Sequence, residues 1–258
     1  MGDGAAATVA RAGHHAPTMP NTRRHRGPHP GDDARFAPAR LATLRTACAD
    51  LGWLATRGYT GKAALQLVGD HHALDLRQRQ AITRASCVPD VAAARRRRER
   101  PLGAFAELWI DGFNVLTTIE AALGGGVVLG CTDGCLRDLA SMHGTWRRVH
   151  ETTRSAELLG EYLATAGVAD VALLLDAPVG NSGRLAALLR DLAAERGWPW
   201  RVETVASPDR QLRGAPVPIA TADSAILDTD VVWVNLARTI VDTLPDVWRI
   251  DLATAPTG

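Results

Sequence analysis

Apolar residues recur at intervals of three and four positions between residues 36 and 100, the spacing that gathers them on one face of a helix. The clearest series is Leu41, Leu44, Cys48, Leu51 and Leu54. Punctuating residues then mark one helix end and three further helix starts: Gly58, Thr60, Asp75 and Pro89. The pattern predicts a small all-α module over residues 35–100.

After Pro101 the pattern changes to short apolar runs that alternate with helical stretches, which indicates βαβ units and a parallel sheet. Strands are predicted at residues 107–110, 127–129, 171–175, 201–205, 217–220, 231–234 and 247–250. Helices are predicted at residues 115–123, 134–142, 153–166, 182–196, 223–227 and 236–243. The fold class expected for residues 101–258 is therefore α/β, with a mainly parallel sheet flanked by helices.

The amino-acid composition predicts a disordered N-terminal tail and a cellular location. Residues 1–34 are rich in Gly, His, Pro and Arg without a period, which predicts a disordered N-terminal tail. The chain has four cysteines, no apolar run long enough to span a bilayer and no apolar segment typical of a signal peptide. These features predict a soluble, cytoplasmic protein that does not interact with a membrane.

Charge is balanced over the chain, at a formal net value of +1, but it is unevenly distributed. Residues 95–100 read Arg-Arg-Arg-Arg-Glu-Arg, at the end of the predicted module. The run predicts a solvated helix face or linker, and a surface that faces RNA is the alternative.

Aspartate follows three of the predicted strands. Asp111 ends Leu-Trp-Ile-Asp, Asp176 ends Leu-Leu-Leu-Asp, and Asp223 follows Ile-Ala-Thr-Ala. Ligands of parallel α/β sheets bind beyond the carboxyl ends of the strands, and carboxylates that converge there repel one another unless a cation neutralises them. Three such residues favour a site for Mg²⁺ or Mn²⁺, although each aspartate alone could simply cap a helix.

Rival α/β chemistries lack their motifs. A haloacid-dehalogenase phosphatase needs a second carboxylate at the position of Phe113. A P-loop needs Gly-x4-Gly-Lys-Ser/Thr, but the lysine of this chain, Lys62, lies in the helical module. A dinucleotide-binding site needs Gly-x-Gly-x-x-Gly straight after a strand, but Gly124-Gly125-Gly126 precedes one. The nucleophile elbow of the α/β-hydrolases, Gly-x-Ser-x-Gly, does not occur in the sequence. Hydrolysis of a phosphodiester at a metal site is the chemistry that remains.

Three segments carry a resemblance to a known family. Ile-Asp-Gly-Phe-Asn-Val-Leu at 110–116, Leu-Leu-Asp-Ala at 174–177 and Thr-Ala-Asp-Ser-Ala-Ile-Leu-Asp at 221–228 resemble the NYN branch of the PIN-like ribonucleases. The likeness is greatest to the YacP-type members and covers roughly residues 107–251. The whole chain also resembles an uncharacterised prokaryotic family that joins a helical N-terminal module to such a domain.

The resemblance implies a PIN/NYN-like fold and a Mg²⁺- or Mn²⁺-dependent endoribonuclease. Asp111 and Asp223 match the family's metal ligands best and Asp176 comes next, while Asn114 would hydrogen-bond the first carboxylate and orient it. Many relatives carry another aspartate where this chain has Ala225. Asp228 or Glu120 would substitute for it, and Asp228 is included among the predicted metal ligands.

Further polar residues are candidates for a supporting or substrate-binding role. Asp133 and Asp138 could extend the acidic site or cap a helix, and Arg147 and Arg148 could bind phosphates beside Trp146 as a base-stacking surface or be plain surface charge. Ser182 could open a phosphate-binding helix start, with Arg184 adding charge, or only cap that helix. Cys131, Cys135, His143 and His150 do not have the spacing of a standard zinc site.

The sequence therefore predicts an endoribonuclease in which Asp111, Asp176 and Asp223 hold one or two divalent metals. RNA is the expected partner, with a protein partner or a homodimer as the further alternative for the helical module. A non-catalytic RNA- or protein-binding adaptor with a decayed acidic site is the second hypothesis, and Ala225 favours it. A small-molecule phosphohydrolase is the third.

Overall fold

The computed structural model describes residues 25–59, 61–140 and 144–253. The helices are α1 (Asp32–Arg35), α2 (Pro38–Thr56), α3 (Gly61–His71), α4 (Leu76–Ala85), α5 (Pro89–Arg98), α6 (Gly112–Leu123), α7 (Glu151–Thr165), α8 (Ser182–Arg196), α9 (Pro208–Arg213), α10 (Ser224–Leu227) and α11 (Leu236–Val241). The strands are β1 (Glu107–Asp111), β2 (Val128–Gly130), β3 (Leu136–Asp138), β4 (Asp170–Asp176), β5 (Trp200–Val205), β6 (Ile219–Ala220), β7 (Trp233–Val234) and β8 (Arg249–Asp251). Within the described ranges, no helix has both the length and the apolar character needed to cross a bilayer.

Five strands form the main sheet, in the order β5-β4-β1-β6-β7, and every neighbouring pair is parallel. The apolar runs of β1 and β4 are buried because α6, α7, α8 and α11 pack with them into one core. This confirms the predicted mainly parallel sheet flanked by helices. β1 lies at the centre, with β4 on one side and β6 on the other.

A second sheet of three strands, in the order β3-β2-β8, was not predicted as a separate unit. β2 pairs antiparallel with β3 and parallel with β8. The helix predicted at residues 134–142 is wrong, because Leu136–Asp138 is a strand that returns from β2 through a tight turn. Gly134, at a φ of 92°, makes that turn possible. Leu136 and Leu139, three residues apart, imitate a helical period over this short stretch.

The helical module has the predicted elements. Asp75 caps α4 in a capping box with Gln78, and Pro89 opens α5. The predicted cap Thr60 lies outside the described residues. The core of the module continues into the second sheet; its buried members include Leu44, Cys48, Val68, Ile82, Leu129 and Ile250. The helical module and the second sheet thus share one buried core.

The structure describes only the last part of the predicted N-terminal tail, residues 1–34. Residues 1–24, with His14 and His15, lie outside the described residues. Residues 25 and 26, in contrast, contact the α/β region, while α1 contacts the helical module through the Asp32–Arg77 and Arg35–Asp75 ion pairs. Arg26 forms an ion pair with the buried Glu120, and His25 Nδ1 lies 2.7 Å from Glu151 Oε1. Carboxylates far along the sequence therefore give this polar segment a fixed place.

One residue of the arginine run departs from the expected solvated face, while Arg96, Arg97 and Arg100 are exposed. Arg95 is only 3% exposed, since its side chain enters a network of carboxylates described below. Beyond α5 the chain passes along the outer edge of β7, where the backbone N–H of Arg100 donates to the carbonyl of Trp233 at 2.8 Å. Glu99 and Trp233 form a parallel bridge there. The connection between the module and β1 therefore covers one free edge of the main sheet.

Candidate acidic site at the carboxyl edge of the main sheet

The three aspartates predicted from the strand ends lie at one edge of the main sheet. Asp111 is the last residue of β1, Asp176 is the last residue of β4, and Asp223 is the N-cap of α10, just after β6. Because β1 pairs in parallel with both β4 and β6, these three ends are adjacent. The edge is also a topological switch point, where the strand order changes direction on either side of β1.

Asp111 is the most enclosed of the three, at 7% exposure. Its Oδ2 accepts a hydrogen bond from Thr221 Oγ1 at 2.9 Å, and its Oδ1 accepts from the backbone N–H of Asn114 at 3.3 Å. Burial raises the pKa of Asp111 to about 7, and the charges of Asp223 and Asp209 act in the same direction against those two hydrogen bonds. The carboxylate is therefore held firmly in a place that lacks compensating positive charge.

Asp209 is a member of this edge that the sequence analysis missed. It lies in the first turn of α9, after β5, where Ser207 is the N-cap and Pro208 follows. Burial raises the pKa of the half-buried Asp176, and the charge of Asp209 raises it further. Asp209 thus influences Asp111 and Asp176 together. The signal that could have revealed it is Ser-Pro-Asp directly after a strand, a common start of a helix.

Asp223 serves as a helix cap while it faces the same edge. Its Oδ1 accepts from the backbone N–H groups of Ala225 and Ile226, at 2.7 and 3.2 Å. The capping alternative is therefore correct for Asp223, and the same holds for Asp111, which caps α6. Capping uses only Oδ1 of Asp223, and its Oδ2 has no hydrogen-bond partner among the described residues.

Thr221 joins the two best-matched carboxylates. Its hydroxyl donates to Asp111 and accepts from the backbone N–H of Asp223 at 3.0 Å. The predicted role of Asn114 needs correction: its backbone N–H contacts Asp111, but its side-chain Oδ1 accepts from the backbone N–H of Ala222 at 2.7 Å. Thr221 is therefore the side chain that orients Asp111, and Asn114 fixes the loop after β6.

The remaining predicted carboxylates are neutralised by arginine. Asp133 and Asp228 both pair with Arg95, and Glu120 pairs with Arg26. Asp138 Oδ1 lies 3.8 Å from Arg84 Nη1, and Asp138 also accepts from Thr117 and Thr118. Asp228 and Glu120 are thus each engaged with an arginine.

The four edge carboxylates differ in this respect. Asp111, Asp176, Asp209 and Asp223 form no ion pair with any described arginine, lysine or histidine. We call these four residues the acidic edge. They are the carboxylates among the described candidates whose charge the protein leaves uncompensated.

Three of the predicted basic residues belong to segments near the loop after β4. The stretch 145–148 runs beside the loop after β4, through a bridge between Thr145 and Gly180. Arg148 and Arg184 line a groove of about 590 Å³ there. Trp146 contributes to the groove wall but is 3% exposed and belongs to the main core, so the predicted base-stacking surface is wrong. Arg147 does not line this groove but a different cavity.

Ser182 does not cap α8, which was the simpler of its two predicted roles. The N-cap of α8 is Asn181, in the left-handed conformation, and the buried Ser182 is the first helical residue. The hydroxyl of Ser182 donates to the carbonyl of Ala177 at 3.4 Å. It therefore supports the loop that follows Asp176.

The donors of the acidic edge suit a hard divalent cation in chemical type. They are all carboxylate oxygens without a protein counter-ion, and burial together with the neighbouring carboxylates raises the pKa of Asp111. Their spacing is less complete: within the residues that the structure describes, no group of three or more His, Cys, Asp or Glu is arranged to hold an ion. Two carboxylates plus water and substrate oxygens is the coordination that Mg²⁺ commonly takes in proteins.

Comparison with known proteins finds two family matches in the chain. Residues 104–239, more than half of the chain, match a family described as a domain of unknown function (DUF5616). Residues 43–98 match a family described as a protein of unknown function (DUF434). An uncharacterized protein of Methanocaldococcus jannaschii is 30% identical over 190 residues, which are 73% of this chain and 90% of the relative. No solved structure matches the chain.

Proposed function

This chain belongs to the DUF5616 family, and we propose that it is a PIN/NYN-like endoribonuclease that depends on Mg²⁺ or Mn²⁺. The observation that carries the proposal is the difference between two sets of carboxylates. Three predicted candidates away from the edge pair with arginine, namely Asp133, Asp228 and Glu120. The acidic edge instead gathers four aspartates, from β1, β4, α9 and the start of α10, without a counter-ion. Leaving such a cluster uncompensated is costly unless a cation binds there.

Asp111 and Asp223 are the residues that would hold the cation. When bound, a divalent cation lowers the pKa of a water ligand and stabilises negative charge on phosphoryl oxygens. The chain's own contribution is geometric and electrostatic. Thr221 fixes Asp111, the backbone N–H groups of α10 fix Asp223, and the main sheet holds both strand ends rigidly.

Asp176 and Asp209 have a different part in the proposal. Both are half-buried, and burial together with the charge of Asp209 raises the pKa of Asp176. A carboxylate with a raised pKa is suited to accept a proton from water and to release it to a leaving group. Arg148 and Arg184, in the groove beside the loop after β4, would contact the phosphates of the RNA strand.

The test is cleavage of a labelled RNA of mixed sequence by the full chain in the presence of Mn²⁺, Mg²⁺ or chelator. Asp111→Asn and Asp223→Asn should each lower cleavage by at least about 100-fold. The matched control is Asp170→Asn, because Asp170 lies on β4 at the opposite end from Asp176 and pairs with Arg201. This control should cleave as the unchanged protein does.

Two other outcomes would replace the proposal. RNA binding without cleavage under any metal condition, unchanged in both variants, would indicate the adaptor. Release of phosphate from small monoesters without cleavage of RNA would indicate the phosphohydrolase. Cleavage that is equal in Asp111→Asn, Asp223→Asn and the control would refute the acidic edge as its site.

A further inference from the structure

Two guanidinium groups hold the backbone on both sides of Asp223. Arg137 Nε donates to the carbonyl of Ala222 at 2.8 Å. Arg95 Nη2 donates to the carbonyl of Ser224 at 3.2 Å, and its Nη1 lies 3.4 Å from Ser224 Oγ. The residues immediately before and after Asp223 are thus each fixed by an arginine, although Asp223 itself contacts neither.

One aspartate fixes both arginines. Asp133 is 0% exposed, and its Oδ2 accepts from Arg95 Nη1 and, at 2.7 Å, from Arg137 Nη2. Burial alone would raise the pKa of Asp133, but Arg137 and Arg95 hold it below the ordinary value. Asp228 completes the set from the other side of Arg95, at 2.6 Å. A buried network of this kind is rigid, because each member loses its partners if another moves.

The arginines come from different parts of the chain. Arg95 lies in α5, within the region that matches the DUF434 family, while Arg137 lies on β3 and Asp223 follows β6, both within the DUF5616 match. The carbonyl of Arg95 also accepts from Trp233 Nε1 at 2.8 Å, so its backbone is fixed to the main sheet. The helical module therefore contacts the residue that follows Asp223 in the chain.

From these contacts we infer that Arg95 is a positioning residue for the acidic edge: with Asp133 and Arg137, it sets the position of the backbone that carries Asp223. The inference rests on the proposed function for its effect on metal binding and cleavage. Its structural part concerns the loop alone. It gives the helical module a role in the site that differs from binding RNA or a partner.

Arg95→Lys tests the inference, because lysine keeps the charge near Asp133 but cannot contact Asp133, Asp228 and Ser224 together. Arg96→Lys is the matched control: Arg96 is the next residue of α5, and its side chain donates to the carbonyl of Thr132, away from Asp223. The first measurement is hydrogen exchange of the Ala225 and Ile226 amides, which donate to Asp223. Their exchange should accelerate at least 10-fold in Arg95→Lys. Exchange of the Gln78 amide, which donates to Asp75 at the N-terminus of α4, should not change.

The second measurement is Mn²⁺ binding, followed by thermal shift, together with RNA cleavage. Arg95→Lys should weaken Mn²⁺ binding by about 10-fold and lower cleavage similarly, because loss of a residue that positions a metal ligand commonly costs that much. Arg137→Lys should have the same effect, and the two substitutions together should add little beyond either one. Arg96→Lys should leave both properties unchanged.

The outcomes separate this inference from the proposed function. If the unchanged protein neither binds Mn²⁺ nor cleaves RNA, the proposed function fails, and the exchange of the two amides alone decides whether Arg95 positions Asp223. If those amides exchange in Arg95→Lys as they do in Arg96→Lys, the inference is refuted, whatever the activity. Should Arg95→Lys not fold, Asp228→Asn removes the exposed partner of Arg95 and should produce the same local acceleration in a folded protein.

Discussion

Replacing Asp111 by asparagine should stabilise the protein at pH 8 in the presence of chelator. Asparagine has the same size, caps a helix equally well and can contact Thr221 and the Asn114 amide in place of the carboxylate. What it removes is a negative charge that burial and the neighbouring carboxylates disfavour. A gain in stability on losing an active-site charge is the expected result where the charge is uncompensated.

The magnitude follows from the pKa. A value of about 7 in the folded protein, against 3.8 for an ordinary aspartate, corresponds to a penalty of about 4 kcal/mol on the ionised form. Because the folded pKa is raised, the contribution of Asp111 is favourable at low pH and is lost as the pH rises towards 7. Between pH 5 and 8 the difference between Asp111→Asn and the unchanged protein should therefore grow by about 2.5 kcal/mol in favour of the variant.

The assay is urea unfolding at pH 5 and pH 8, with chelator present throughout. The control is Asp170→Asn, whose exposed pair with Arg201 should change stability by less than about 0.5 kcal/mol at either pH. The reasoning is refuted if Asp111→Asn is destabilised by the same amount at both pH values. That result would mean that Asp111 is ionised and well compensated in the folded protein.

Three further predictions concern other parts of the structure. Asp133→Asn should have the opposite sign to Asp111→Asn and lower the free energy of unfolding by about 3 kcal/mol at pH 7, since it leaves two buried guanidiniums short of a partner; urea unfolding measures this. Gly160→Ala should lower it by about 2 kcal/mol, because the added methyl would overlap the ring of Trp198; thermal unfolding beside an alanine substitution at an exposed helical position measures this. Stabilisation by Mn²⁺ should be abolished in Asp223→Asn and retained in Asp170→Asn, and a thermal shift that is equal in the two variants would contradict the assignment of the acidic edge.

The sequence predicts the main sheet and its flanking helices well because their signals are local. Long apolar runs at β1 and β4, and the cap at Asp75, depend on residues within a few positions of each other. β3 could not be predicted in this way, since its three residues are strand only through pairing with β2. The shared core of the helical module and the second sheet is likewise a matter of distant contacts.

In the candidate site, too, the local features could be predicted from the sequence and the distant contacts could not. Asp111, Asp176 and Asp223 could be predicted because each ends a readable strand. Which carboxylates lack a counter-ion could not, because the neutralising arginines are distant in the chain. Arg95 lies 133 residues from Asp228.

Asp209 and Thr221 illustrate two other gaps. Asp209 was missed because its helix, α9, is short and the aspartate is removed from the end of its strand. Thr221 lies inside the Thr-Ala-Asp-Ser motif, yet a hydroxyl two residues before an aspartate has no distinctive pattern. Its role becomes visible only in the bond to Asp111, 110 residues away in the sequence.

The passage of Glu99 and Arg100 along the outer edge of β7 bears on how such a protein can evolve. An exposed strand edge invites pairing with the edge of another molecule, and here the chain that leaves the module occupies it. A gene fission or deletion that separated the chain between α5 and β1 would leave the edge of β7 uncovered and create a self-associating fragment. The two halves are therefore expected to be inherited as one piece and not to be exchanged as cassettes among unrelated proteins.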